Sequence, residues 1–129
     1  MTYTVEQAQA RCRYWQQVLR LQDWNVTVRL GRFHEMKSAT AVAQVWTSCT
    51  LRDAVITLLD PDDFRPDHDA AMRDMDDSLV HELLHLHMKD LGVMKADGDD
   101  PPTPPEIAEE RAIAALAAAF VRLNRSARS

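Results

Sequence analysis

A chain of 129 residues, 46% hydrophobic and 27% charged, is long enough for one domain with its own core, and no second domain is needed. Its formal charge of −5, with no clustered basic face, argues against a nucleic-acid partner, because phosphate binding rests on grouped Lys and Arg. No stretch is apolar for long enough to span a membrane, and Met1 to Gln7 shows neither a basic leader nor an apolar run, so a cytoplasmic location is the expectation.

Thr4 is placed to cap a helix from about Val5 to Leu21, in which Ala8, Cys12, Trp15, Val18, Leu19 and Leu21 recur at helical spacing. Trp24 to Leu30 alternates apolar and polar residues as a half-buried strand does, and Gly31 ends it. A polar connection follows to Thr40. Two β-rich runs, Ala41 to Thr50 and Ala54 to Leu59, joined by Leu51-Arg52-Asp53, read as an antiparallel hairpin. Asp60 to Asp77 is an acidic connection broken by Pro61 and Pro66, read as a solvated loop with a short helix around Asp67 to Arg73. It contains no glycine for the turn of a calcium loop.

Asp76, Asp77 or Ser78 lies near the start of the next helix, where an acid suits the helix dipole. That helix carries Leu79, Val80, Leu83, Leu84, Leu86, Met88 and Leu91 and is expected to stop at Gly92. A Pro-rich loop over about 93–105 leads into a last helix from Pro104 or Pro105 to Leu123. A short basic tail over 124–129 is left for helix-end electrostatics. The fold expected is α+β: an N-terminal helix, a small three-stranded, mainly antiparallel sheet and two further helices in a single domain, 1–129. Cys12 and Cys49 show no metal-type spacing and are expected to be buried or half-buried thiols without a disulfide.

The penultimate helix contains His81-Glu82-Leu83-Leu84-His85, the HExxH spacing of zinc hydrolases. At about 3.6 residues per turn, His81 and His85 stack on one face and can offer two nitrogens to one metal, while Glu82 lies one position round, beside a metal-bound water. A catalytic zinc keeps three protein ligands, so one more is required. The continuation HExxHxxGxxH fails, because Met88 and Leu91 stand at its Gly and His positions. His87 is about 200° round from His85 and reads as a surface or packing histidine. A carboxylate from the last helix remains, and Glu106, Glu109 and Glu110 open it. Ile107, Ile113, Leu116 and Phe120 mark its apolar stripe, with Glu109 and Glu110 on either side of the centre, and periodicity does not separate them.

His81-Glu82-Leu83-Leu84-His85 followed by Glu110-Arg111-Ala112-Ile113-Ala114-Ala115-Leu116-Ala117 resembles the small gluzincin metallopeptidases, including minigluzincin-like proteins and metallopeptidases of phage or prophage origin. The order of elements is similar too, although only the last third carries specific motifs. The resemblance implies a zincin-like fold, with Zn²⁺ on His81, His85 and Glu110, and Glu109 as the alternative third ligand. It also implies a peptide or protein substrate, hydrolysed by a metal-activated water with Glu82 as general base. Substrate in such proteins lies along an edge strand, here Ala41 to Thr50 or Ala54 to Leu59. No oxyanion-stabilising residue is assigned among Tyr3, Tyr14, His34 and His68. The alternative is a non-proteolytic binding or regulatory protein on the same scaffold. The sequence leaves substrate preference and oligomeric state open.

Overall fold

The computed structural model describes residues 1–89 and 101–128, so the expected helix stop at Gly92 and most of the Pro-rich loop lie outside the described residues. Helix α1 (Val5–Val18) starts in a capping box: Thr4 Oγ1 accepts from the Gln7 amide, and Gln7 Oε1 accepts from the Thr4 amide. It ends before the expected Leu21. Arg20 adopts φ 63°, a left-handed turn that lets the Leu21 amide reach back to the Gln16 carbonyl at 2.7 Å.

Strands β1 (Asn25–Gly31), β2 (Ala43–Ser48) and β3 (Asp53–Leu59) form one sheet in the order β1-β3-β2. The β2–β3 hairpin is antiparallel as expected, with Ala43 opposite Leu58 and Ser48 opposite Asp53. β1 pairs with β3 in parallel, Asn25 opposite Asp53, so the sheet is mixed rather than mainly antiparallel. The cause is positional. The chain leaving β1 skips the neighbouring slot, β2 takes the far edge, and the tight hairpin drops β3 between them, where it must run with β1. Ala54, Ile56, Leu58 and Leu59 are all buried, as a middle strand requires. Gly31 does more than end β1, for a Cβ there would meet Thr57 Cγ2 at 2.6 Å.

The connections differ from expectation in three places. Phe33–Glu35 and Pro61–Asp63 are 3₁₀ turns, and residues 67–73 form turns rather than a short helix. There the Arg73 side chain donates to the carbonyls of His68 and Arg65, at 2.7 Å each, and its amide donates to the Asp69 carbonyl at 3.1 Å, so side chain and backbone hold the loop together. Cys12 is buried and free, as expected. Cys49, also free, is exposed in the turn after β2 because the strand stops at Ser48.

Helix α2 (Met75–Lys89) carries the HExxH segment, and Asp74, one residue before it, caps it by accepting from the Asp76 amide at 3.1 Å. Helix α3 (Pro104–Arg128) follows Thr103, whose Oγ1 accepts from the Glu106 amide at 3.4 Å, and it runs through the expected basic tail instead of stopping at Leu123. α2 packs against α1, α3, β2 and β3. Its Leu79, Val80, Leu83 and Leu86 share one core with Trp15, Ile56 and Ile113. No helix among the described residues is long and apolar enough to cross a membrane.

Asp76 lies in the first turn of α2, as expected, but it is not solvated like the rest of the acidic connection. It is 2% exposed and accepts from Arg11 Nε at 3.1 Å, Trp15 Nε1 at 3.1 Å and the Tyr3 hydroxyl at 2.9 Å. Arg125 of α3 approaches it at 3.5 Å and pairs with Asp74 at 2.8 Å. Burial alone would raise the Asp76 carboxyl, but the hydrogen bonds from Arg11, Trp15 and Tyr3 hold it below its ordinary value. Burial and the bond to Asp76 push Tyr3 up to about 12.

Removing one partner of a buried ion pair is costly. Asp76→Asn is expected to lose about 3 kcal/mol and about 10 °C in Tm by calorimetry. The signs for pH follow from linkage. Asp76, lowered from 3.8, contributes stability above that pH and loses it as pH falls further, whereas Tyr3, raised from 10.0, contributes below pH 10 and loses it towards 12. Urea midpoints across pH should decline at both ends, and Asp76→Asn should flatten both limbs.

Candidate metal centre

Two facing helices build the site. α2 is buried over most of its length, packed against α1, α3, β2 and β3, which fixes the row containing His81 and His85. α3 runs back along it, with Arg125 tied to the α2 N-terminus and the acidic first turns of α3 opposite the two histidines. The imidazole rings lie 5.2 Å apart between centroids. One carboxylate spans them: Glu110 Oε2 is 3.1 Å from His81 Nε2, and Glu110 Oε1 is 2.8 Å from His85 Nε2. Ligand atoms from His81, His85 and Glu110 all lie within 4.8 Å of one another. A tetrahedral ion with bonds of about 2.0–2.2 Å keeps its ligands about 3.3 Å apart, so small side-chain shifts suffice to admit a metal.

Glu109, the other sequence candidate, faces differently. Its Oε1 is 3.1 Å from His85 Nδ1, and the pair is buried, with 5% and 8% of the two side chains exposed. A proton on Nδ1 donated to Glu109 leaves the Nε2 lone pair aimed at the point shared with His81 and Glu110. Consecutive glutamates thus hold both nitrogens of one ring. Glu82 is 8% exposed on the same cavity wall.

Charge and burial compete at each group. Hydrogen bonds from His81 and His85 hold Glu110 well below the usual carboxylate range, outweighing its partial burial. Burial pushes Glu82 upward, against the pull of His85, His81 and Lys37. Burial would lower His81, but the Glu110 bond and the charges of Glu82, Glu110 and Asp77 together raise it.

The cluster opens on a cavity of about 710 Å³ whose wall also includes Lys37, Ala43, Val45, Lys89 and Arg111. None of Tyr3, Tyr14, His34 and His68 lines it. Tyr3 serves Asp76, and His68 is buried at 3% exposure with its Nδ1 accepting from the Arg65 amide. His87 points elsewhere, as read, and its Nε2 donates to the Leu19 carbonyl at the end of α1, 2.7 Å away. The three cations of the cavity were missed in the sequence. Lys89 carried a signal, being one further step of four along the row His81, His85, and so did Arg111 beside Glu110. Lys37 carried none, since only the fold brings it near α2.

Comparison of the chain with protein-family models, with curated proteins and with solved structures finds no match in any of the three.

The burial difference between the two glutamates gives a test independent of any metal. In excess chelator, Glu109→Ala leaves the buried Nδ1 of His85 without its carboxylate partner and is expected to cost about 2 kcal/mol. Glu110, 54% exposed, is expected to cost under about 1 kcal/mol when replaced by Ala. Urea unfolding of the two variants checks the order; equal losses would contradict the assignment of Glu109 to the core of the site.

Proposed function

We propose that this chain is a zinc-dependent peptidase of the small gluzincin kind, on a zincin-like scaffold. His81, His85 and Glu110 hold the ion and Glu82 is the general base. The observation that carries this reading is the convergence of two imidazole nitrogens and one carboxylate at a cavity wall, with buried Glu82 beside them. The donor set fits zinc. Nitrogen and oxygen donors, three in number, suit a catalytic zinc with an open position, whereas a structural site takes four and calcium takes six to eight oxygens. When bound, zinc supplies Lewis-acid polarisation of a substrate carbonyl and lowers the pKa of a coordinated water to about 7.

The remaining work falls to the side chains. Glu82 takes a proton from the attacking water and returns it to the leaving amine. Burial suits that exchange, because it raises the affinity of the carboxyl for a proton above its ordinary value. Glu109 orients His85 through Nδ1, as carboxylates behind metal-binding imidazoles do. Of the two strands expected to guide substrate, β3 is interior, which leaves β2 as the edge, with Ala43 and Val45 on the cavity wall. An extended peptide pairing with β2 would pass in front of Glu82.

Protein reconstituted with zinc is expected to hold about one ion per chain and to cleave members of a broad peptide library, with loss of cleavage in chelator. Glu82→Gln should keep the ion and lose at least about a hundredfold in turnover. Glu110→Gln should lose stoichiometric zinc, and Glu109→Gln should weaken it by about 10–100-fold. Elemental analysis and mass spectrometry of the digests read these outcomes. Full hydrolysis by Glu82→Gln would remove the general-base role. One zinc per chain with no peptide cleaved would favour the non-proteolytic binding protein.

A further inference from the structure

The cavity wall is electrostatically unlike the rest of the molecule. The chain carries a net −5, yet Lys37, Lys89 and Arg111 converge on this one hollow, and none forms an ion pair with a carboxylate among the described residues. Two of the carboxylates facing them are already engaged, and the third is buried. Glu110 bridges the two histidines, Glu82 is buried, and Glu106 is bonded to Thr103 Oγ1 at 3.1 Å. Lys37 stands close enough to Glu82 for its charge to act there, with its backbone amide fixed to Gln44 of β2 at 2.8 Å.

A second cavity, of about 420 Å³, meets the first at Ala43, His81, Glu82 and Glu110. Its wall holds Asp69, Asp77, Met72 and Ala71 and, among the described residues, no Lys or Arg. The two sides of the histidine–glutamate cluster thus have opposite polarity. Resting on the peptidase reading, we propose that the site takes peptides bearing a carboxylate, seated among Lys37, Lys89 and Arg111 on the His85 side. The Asp69 and Asp77 side rejects a carboxylate by like-charge repulsion. The carboxylate can come from an acidic side chain or from a free C-terminus, which share this chemistry.

The test uses zinc-loaded protein and labelled peptides of one sequence with Glu, Gln or Lys on either side of the central bond, each made as free acid and as C-terminal amide. Anisotropy with the Glu82→Gln protein reads binding without turnover, and mass spectrometry of wild-type digests reads the cleavage position. A carboxylate on one side only is expected to bind about tenfold tighter than its neutral counterpart in low salt, and the gap should shrink as salt rises. A preference for the free acid over the amide assigns the seat to a terminus, and a preference for Glu over Gln assigns it to a side chain. Lys37→Ala with Arg111→Ala, both at exposed positions, should erase the preference, and Lys37→Glu with Arg111→Glu should invert it towards Lys peptides. Equal binding of Glu, Gln and Lys peptides, or Glu accepted equally on both sides, overturns the proposal. Cleavage without charge preference leaves the peptidase reading standing. Charge-selective binding with no cleavage keeps the seat and removes the peptidase.

Discussion

The arrangement depends on one buried carboxylate. Asp76 accepts from Arg11 and Trp15 of α1 and from Tyr3 ahead of it, while Arg125 of α3 leans on the same group and on Asp74. Three helices therefore meet at a single charged point at the start of α2. Desolvating an ion is expensive, and the cost is offset only when every lone pair is matched, as it is here. The consequence is register. With Arg125 fixed at one end of the α2–α3 pair, the α-helical rise sets which residues of α3 come opposite His81 and His85. Glu109 and Glu110 are the ones that do.

Two adjacent glutamates point about 100° apart on a helix, and the site uses both directions. One reaches into the packed seam to hold the far nitrogen of His85, and the other spans the near nitrogens at the cavity surface. A choice that looks exclusive when only ligands are counted becomes a division of labour once the second nitrogen of the imidazole is counted too. The apolar surroundings of α2 serve the same end. They keep His85 and Glu82 buried beside the cavity, while His81 reaches its surface.

Much of this was legible in the residues. The strand and helix cores, the Thr4 cap, the proline start of α3 and the HExxH row all follow from local rules of spacing and capping, which act within a turn or two. What was not legible acts across the chain. Asp76 looks like any acid in a first helical turn until Arg11 and Trp15 arrive from α1. Arg125 reads as tail until its partner across the helix pair is known. Strand order escaped for a related reason. The almost unbroken apolar run Ala54 to Leu59 differs from the alternation of Trp24 to Leu30, and that contrast separates a middle strand from an edge strand, but pairing direction depends on the path taken between them. The Glu109–His85 contact likewise needs the register of two helices, which no single segment encodes.

The two edges of the sheet are treated differently. Along β1, Gln9 of α1 acts as a surrogate strand: its side-chain nitrogen donates to the Val26 carbonyl and its oxygen accepts from the Val28 amide. Along β2, Ala43–Ser48 contains no charged residue and no proline, exposes Trp46, and meets no further strand among the described residues. Any advantage this bare edge gives a passing peptide it gives equally to β2 of another copy. Colloidal stability then rests on long-range repulsion from the net charge of −5, which weakens as salt rises or acids are neutralised. Self-association through edge pairing is thus the failure mode that this architecture invites in concentrated or acidified solution.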